Sequence, residues 1–212
     1  MPASRVTSKT PWHVVFVLDD SGSMSDQPAR DVNGAMTTMI DEMKILSQGQ
    51  KPYFKISVIT FGSTPAMVCE AQSEMQLDMS KIACLSGKSG STNAAAALND
   101  AYQLFQRYPG TQTDFEPFLF FFSDGAPDNE ADALQAGDRI KNMTITAGRP
   151  RIVTIGFGSP NDDFMAKLAT NAELYKKLGS QKDILSFLPA IGTVTGTVTG
   201  GAAGMEQAII QI

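Results

Sequence analysis

The 212-residue chain is poor in the side chains that most enzymes use as ligands and bases. It has a single histidine, His13, and two cysteines, Cys69 and Cys84. His13 sits at the start of the first strand-like run, far from any carboxyl end of a strand, so no Ser-His-Asp set is available. Two cysteines in a chain of this length do not make a disulfide framework, and theirs is not a metal-site spacing. They read as buried or semi-buried thiols, with a bridge between them left open because they flank one connection. Cationic charge is also scarce: 17 Lys and Arg stand against 22 Asp and Glu, a formal net charge of −5. Nucleic-acid binding needs a concentrated basic surface, and the longest basic stretch, Lys141 to Arg151, is broken by apolar residues and reads as a helix end plus a loop. No Walker lysine motif is present, and GFGS at Gly156 is too short for a dinucleotide loop. Met1 to Thr10 carries no apolar core of the kind a secretory signal needs, which points to the cytoplasm.

What is present is a globular composition, with 42% apolar and 18% charged residues, at a length that suits one domain. Strand-like and helix-like stretches alternate, as in an α/β doubly wound, mostly parallel sheet with helices on both faces. His13 to Leu18 is a continuous apolar run, suited to a strand buried on both sides. Pro28 suits a first helical turn, and Val32, Ala35, Met36, Met39, Ile40 and Met43 follow at helical spacing as a core stripe. Gly49 to Pro52 should end that helix. Phe54 to Phe61 and Ala66 to Met75 read as a hairpin that adds one antiparallel edge strand. A long loop leads to a helix carrying Leu98, Ala101, Tyr102 and Phe105. Pro117 to Ser123, the most apolar run, should be a central strand. A helix over Glu130 to Lys141, a strand over Arg151 to Phe157, a short helix near Asp163 to Ala169 and a brief strand near Leu174 complete the pattern, with a last helix from about Asp183. The expected organisation is an N-terminal extension over 1–11, a domain over 12–190, and a Gly/Thr-rich helix or tail over 191–212.

That last region is unusual. Ile184 to Met205 carries no charge, and Gly192, Gly196, Gly200 and Gly204 recur every four residues. Such a period puts small residues on one helical face. Three readings follow: a small-residue contact between membrane helices, a helix lying close on the sheet, or a flexible tail. The run is too rich in Gly and Thr to favour the membrane.

Ligands of such sheets bind beyond the carboxyl ends of the strands, where the winding reverses. Three loops there carry oxygen side chains: Asp19-Asp20-Ser21-Gly22-Ser23, Gly90-Ser91-Thr92 and Ser123-Asp124-Gly125. With no His or Cys among them, zinc and copper are disfavoured, whereas two carboxylates and three hydroxyls suit a hard cation. Mg²⁺ is the expected ion, with Mn²⁺ or Ca²⁺ as alternatives. Taken singly, Ser21, Ser23 and Thr92 read as helix caps. Taken with Asp19 and Asp124, the five read as one metal site. Asp20 should turn away from Asp19 and be solvated or brace its loop. Asp26 and Asp128 read as surface residues, with Asp128 able to cap the following helix, and Lys88 lies beside the Thr92 loop.

A strand followed by Asp-x-Ser-x-Ser, a later Thr in a Gly-Ser-Thr loop, and a strand followed by Ser-Asp-Gly resemble the metal-ion-dependent adhesion site (MIDAS) of von Willebrand factor type A domains. The resemblance spans about Trp12 to Phe187, and the run VLDDSGSM with DVNGAMTTMIDEM looks most like the TerY-type proteins of bacterial tellurite-resistance and stress clusters. It implies a binding module and not an enzyme. Ser21, Ser23 and Thr92 would touch the metal directly and Asp19 and Asp124 would act largely through water. The cation would then complete its coordination with an Asp or Glu carboxylate of a protein partner. A kinase or phosphatase of the same gene cluster is the partner this subfamily suggests. The alternative is a Mg²⁺-dependent phosphohydrolase of haloacid-dehalogenase-like type, which also opens on a strand ending in Asp. Such enzymes need a second carboxylate two residues on, where this chain has Ser21.

Overall fold

The least polar runs of the sequence form the middle of a six-stranded sheet. In the computed structural model, which describes residues 3–47, 53–178 and 198–212 together with Asp183, Ser186, Phe187, Ala190 and Ile191, the strand order is β3-β2-β1-β4-β5-β6. These strands are β1 (Trp12–Asp19), β2 (Phe54–Phe61), β3 (Pro65–Ser73), β4 (Phe115–Ser123), β5 (Arg151–Phe157) and β6 (Tyr175–Leu178). All neighbours pair in parallel except β2 and β3, which form the expected antiparallel hairpin at one edge. β1 is buried along its whole length, and only Glu116 of β4 is partly open.

Strand periodicity divides the apolar side chains between two faces. Trp12, Val14, Phe16 and Leu18 of β1 join Phe118, Phe120 and Phe122 of β4 on one face. There α1 (Gln27–Ser47) covers them, and all six residues of its predicted stripe are fully buried. Trp12 makes edge-to-face contacts with Phe115, Phe118 and Phe120. Val15 and Val17, with Leu119 and Phe121, face the other side. That side is covered by α3 (Ala94–Arg107), α4 (Glu130–Asn142) and α5 (Asp162–Leu168). A one-turn helix, α2 (Met79–Ile82), lies in the loop before α3. Because β1 leads to helix α1 on one face while β4 is entered from α3 on the other, the winding reverses between β1 and β4 and opens a crevice at their carboxyl ends.

Asp183, Ser186, Phe187, Ala190 and Ile191 are helical, as expected of a helix from about Asp183, but one continuous helix does not run on through Gly200. Residues 48–52, where α1 should end, and Gly192 and Gly196 lie outside the described residues. Gly200 and Gly201 both take positive φ, +98° and +68°. Helix α6 (Gly201–Gln211) starts only there. A left-handed residue interrupts a helix, so Gly200 and Gly204 do not share one continuous helical face. Gly204 answers to crowding instead: a Cβ on it would fall 2.1 Å from the Thr199 carbonyl oxygen. Helix α6 buries Ala202, Met205 and Ile209 in the same core as α1. Its Gly201 N–H donates to the Ser4 carbonyl at 2.9 Å. Glu206 lies 2.9 Å from Arg151 in an ion pair too poorly aligned to count as a hydrogen bond. No described helix is long and apolar enough to cross a membrane.

The thiol reading of the cysteines needs one correction. Both cysteines are free, so no bridge joins them. Cys69 is buried and its thiol is pushed up to about 11, chiefly by burial, but Cys84 is exposed. The brief strand expected near Leu174 is present as β6, directly after a 3-10 turn over Ala172–Leu174 that Asn171 caps.

His13 is buried against α3, its ring 5.8 Å from that of Phe105 and one nitrogen 2.9 Å from Ser57 Oγ. Burial first, and the Lys55 charge second, lower its pKa from 6.5 to about 4, with Asp114 opposing them. The neutral form is therefore favoured by the fold. Above pH 6.5 the residue adds no pH dependence, and stability falls as pH drops from 6.5 to 4 because the unfolded chain takes the proton first. The loss should approach about 3 kcal/mol at the acid limit. Urea unfolding across this pH range should show the fall in the native chain and a flatter profile in His13→Gln.

Candidate metal centre

Parallel pairing places Leu18 beside Phe122, so the next residues, Asp19 and Ser123, end their strands side by side at the crevice. Asp19 is fully buried. Its Oδ1 accepts from the Ser21 N–H at 2.8 Å and its Oδ2 from the Ser123 hydroxyl at 2.6 Å. Burial raises the Asp19 pKa, and the nearby Asp124 charge adds to this, against the lowering effect of the Ser123 and Ser21 hydrogen bonds. The Ser21 N–H bond turns the chain sharply into a 3-10 turn over Gly22–Met24. That turn aims Ser21 and Ser23 the same way, their hydroxyls 3.1 Å apart. Ser23 Oγ then donates to Asp124 Oδ1 at 2.7 Å, joining the first loop to the third across 101 residues of sequence.

Four of the five predicted residues thus form one cluster. The capping alternative fails for both serines and for the threonine. Ser21 makes no side-chain cap bond, and Asn93, not Thr92, caps α3 by accepting from Ala96 N–H. Thr92 is held by its backbone. Its N–H donates to Asp128 Oδ1 at 2.9 Å and its carbonyl accepts from the Asp128 N–H at 2.9 Å. Asp128 also accepts from the Ser91 hydroxyl at 2.7 Å. Gly22 N–H donates to the Gly90 carbonyl at 2.9 Å, which ties the Thr92 loop to the serine loop. Among the described residues the Thr92 hydroxyl makes no hydrogen bond with the other four.

Asp20 and Asp128 do more than their sequence positions suggest. Asp20 is buried, and it is not the solvated residue that was one expectation. Its Oδ1 accepts from Ser86 N–H at 2.5 Å and Gly87 N–H at 2.7 Å, and its Oδ2 from Ser89 Oγ at 2.5 Å. It is the brace of the loop that carries Thr92. Asp128 does not cap α4, because Asn129 does. Ser123, which the sequence marks only as part of a loop, clasps Asp19. Gly62 has no counterpart in the motif, but a Cβ there would fall 2.1 Å from the Ser89 carbonyl oxygen. The doublet Asp19-Asp20 and the Ser before Asp124 were the available signals; nothing local marks Gly62 or Asp128.

The cluster suits a small hard cation. Asp19, Asp20, Asp124 and Asp128 enter no ion pair with a cationic side chain among the described residues. No group of three or more His, Cys, Asp or Glu that could hold a metal is present among the described residues, so a cation here would depend on hydroxyl oxygens as well as carboxylates. Adjacent oxygens of an octahedron with metal–oxygen bonds of about 2.0–2.1 Å sit about 2.8–3.0 Å apart. The Ser21–Ser23 hydroxyl separation, 3.1 Å, is close to that value, and the Asp124 carboxylate stands one hydrogen bond beyond Ser23.

Removing the brace tests the role given to Asp20. Asp20→Ala leaves the Ser86 and Gly87 amides without partners and should cost about 2–3 kcal/mol. Urea unfolding gives the stability and amide exchange at Ser86 and Gly87 should accelerate. A change below about 0.5 kcal/mol, the range of an ordinary surface substitution, would refute it.

Solved structures with the same fold are numerous. The pilus adhesin SpaC from Lactobacillus rhamnosus GG superposes with a TM-score of 0.75 at 13% identity, over 91% of this chain and 31% of that one. Proximal thread matrix protein 1 from the mussel byssus, with a zinc-occupied MIDAS motif, gives 0.63 at 15% identity, over 90% and 47%. Manganese-loaded TRAP protein from Plasmodium vivax gives 0.62 at 17% identity, over 85% and 72%. The chain therefore spans about a third of the adhesin and about half of the byssus protein. No curated protein matches it. The von Willebrand factor type A domain family matches residues 13–188, from the first strand past the last described strand, and the chain belongs to that family.

Proposed function

We propose that this domain is a metal-dependent protein-binding module in which Asp19, Ser21, Ser23, Thr92 and Asp124 hold one divalent cation. The observation that carries the reading is the hydroxyl–carboxylate cluster, in which the Ser21 and Ser23 hydroxyls stand 3.1 Å apart, near the spacing of neighbouring ligands, with the Asp124 carboxylate on Ser23. Ser21, Ser23 and Thr92 serve as neutral direct donors. Asp19 and Asp124 supply the negative charge, with Asp19 withheld at the strand end by Ser21 N–H and Ser123 Oγ. With few anionic donors in direct contact, the bound cation offers a coordination position that attracts an Asp or Glu carboxylate of a partner protein. The zinc in the byssus protein and the manganese in TRAP support a divalent ion of this size class. We assign Mg²⁺ as the ion here, because the donors are all oxygen and the Ser21–Ser23 separation is close to that set by its bond lengths.

Within this reading the family domain occupies 12–190, with 1–11 and 191–212 as flanking segments. The TerY-like run after β1 suggests a bacterial stress-response or signalling complex in the cytoplasm, with a kinase or phosphatase of the same gene cluster as partner. The haloacid-dehalogenase-like alternative gains no support, since the position two after Asp19 is a serine already hydrogen-bonded to Ser23.

Isothermal titration with Mg²⁺ and Mn²⁺ should show one site in the native chain and none in Asp19→Ala. At a hundred times the dissociation constant, metal should stabilise the native fold by about 2.7 kcal/mol. Capture of a native partner should occur in Mg²⁺, vanish in EDTA and fail with Asp19→Ala. Metal-dependent turnover of a generic phosphoester would falsify the binding-module reading.

A further inference from the structure

At the opposite end of the sheet from Asp19, where β1, β2 and β4 begin, the chain encloses a cavity of about 310 Å³. That volume lies within the range of about 300–1,000 Å³ typical of small-ligand pockets. His13, Lys55, Arg107 and Asp114 line its polar side, and Pro117, Ile145 and Ala147 form part of its apolar wall.

The proton on His13 can be placed from its neighbours. His13 is 7% exposed, and its Nε2 lies 2.9 Å from Ser57 Oγ. Ser57 is fully buried, and its Oγ already accepts from the Ala71 N–H at 2.8 Å. Its own hydroxyl proton has no other acceptor among the described residues, and a buried unpaired donor costs about 1–3 kcal/mol. Ser57 therefore donates to His13 Nε2, and the imidazole proton sits on Nδ1. Among the described residues Nδ1 has no hydrogen-bond partner. Nδ1 is not one of the fully enclosed atoms, so this N–H donor opens on the cavity that His13 lines.

The other polar groups point the same way. Asp114 is engaged, accepting from Lys55 Nζ at 3.3 Å, Thr111 N–H at 3.2 Å and Thr111 Oγ1 at 2.6 Å. Lys55 has only that one contact for its three protons, and its side chain is 41% exposed. Arg107 is taken up by Glu70 at 2.8 Å, which leaves the His13 N–H and the spare Lys55 protons as the donors in excess of acceptors. A ligand that satisfies them must bring acceptor oxygens with negative charge and an apolar body for the opposite wall.

We propose that this cavity binds a small apolar monocarboxylate, aromatic or branched aliphatic, with its carboxylate on His13 Nδ1 and Lys55 Nζ. The hydrocarbon part rests on Pro117, Ile145 and Ala147. A neutral amide meets His13 but gives the Lys55 ammonium no charge beyond that of Asp114 at 3.3 Å, and a dianion meets Asp114 unfavourably.

The single histidine makes the test direct, because the chain has one imidazole signal by nitrogen-15 NMR. Benzoate and 3-methylbutanoate are titrated at pH 7 in EDTA, so the outcome is independent of the metal site at the other end of the sheet. The expected result is a saturable shift of the His13 ring signals, with affinity roughly tenfold weaker for benzamide and for the Lys55→Met variant. Ile145→Trp, which fills the cavity, should abolish the shift while circular dichroism stays native. No saturable change up to about 10 mM, a weak-binding limit near −2.7 kcal/mol, would overturn the proposal. Equal affinity for benzamide, or for Lys55→Met, would overturn it too.

Discussion

A buried carboxylate at the end of a central strand governs the ligand edge of this molecule. Asp19 is shut off from solvent and has no cationic side chain beside it among the described residues, so its two oxygens depend on the Ser21 amide and the Ser123 hydroxyl. The amide bond forces the chain to turn at once after β1, and that turn gives Ser21 and Ser23 a common direction. The hydroxyl bond locks the end of β1 to the end of β4. Leaving either donor unmade would strand a buried charge, a far larger penalty than one hydrogen bond contributes when formed. The geometry of the crevice follows from that demand.

Four aspartates around the crevice divide into two kinds according to what they face. Asp19 and Asp124 converge on the serine hydroxyls. Asp20 and Asp128 face backbone amides of the long loop before α3, and hold it from two sides. The loop has little regular structure to order it, so these carboxylate–amide bonds replace the ladder that a strand would supply. Gly62 completes the arrangement by allowing the Ser89 carbonyl to approach where any side chain would collide. Thr92 is thereby positioned by its main chain.

The sheet has two ends of unlike chemistry. Where the strands leave, the side chains are carboxylates and hydroxyls, the donor set of the proposed cation site. Where β1, β2 and β4 begin, His13 and Lys55 offer protons, and the cavity suits an anion with an apolar body. Parallel strands in one sheet bring the starts of distant segments together as surely as they bring the ends together. His13 illustrates the point: its place on the chain suggests nothing, but its neighbours in β2 and β3 decide its charge and its tautomer.

Much of this was legible in the residues. Uninterrupted apolar runs identified β1 and β4 as central strands, helical spacing identified the buried face of α1, and the turn residues after Phe61 identified the antiparallel edge. The Asp-x-Ser-x-Ser loop, Thr92 and Asp124 could be named together because each follows a strand or precedes a helix, and local pattern reports such positions. Contacts between segments far apart in sequence were not legible. That Asp128 holds Thr92 and that Ser57 orients His13 depends on packing between elements tens of residues apart. The break at Gly200 was hidden for a different reason: a glycine every four residues fits a helical face equally well whether the backbone continues or turns left-handed. Sequence alone determined the layers of the fold and the chemistry of its ligand edge, because hydrophobic period and donor type are properties of single residues and their near neighbours. Tertiary structure alone decided which carboxylates would serve as braces and which side of the molecule would hold a second cavity, because those depend on distances that only the folded chain creates.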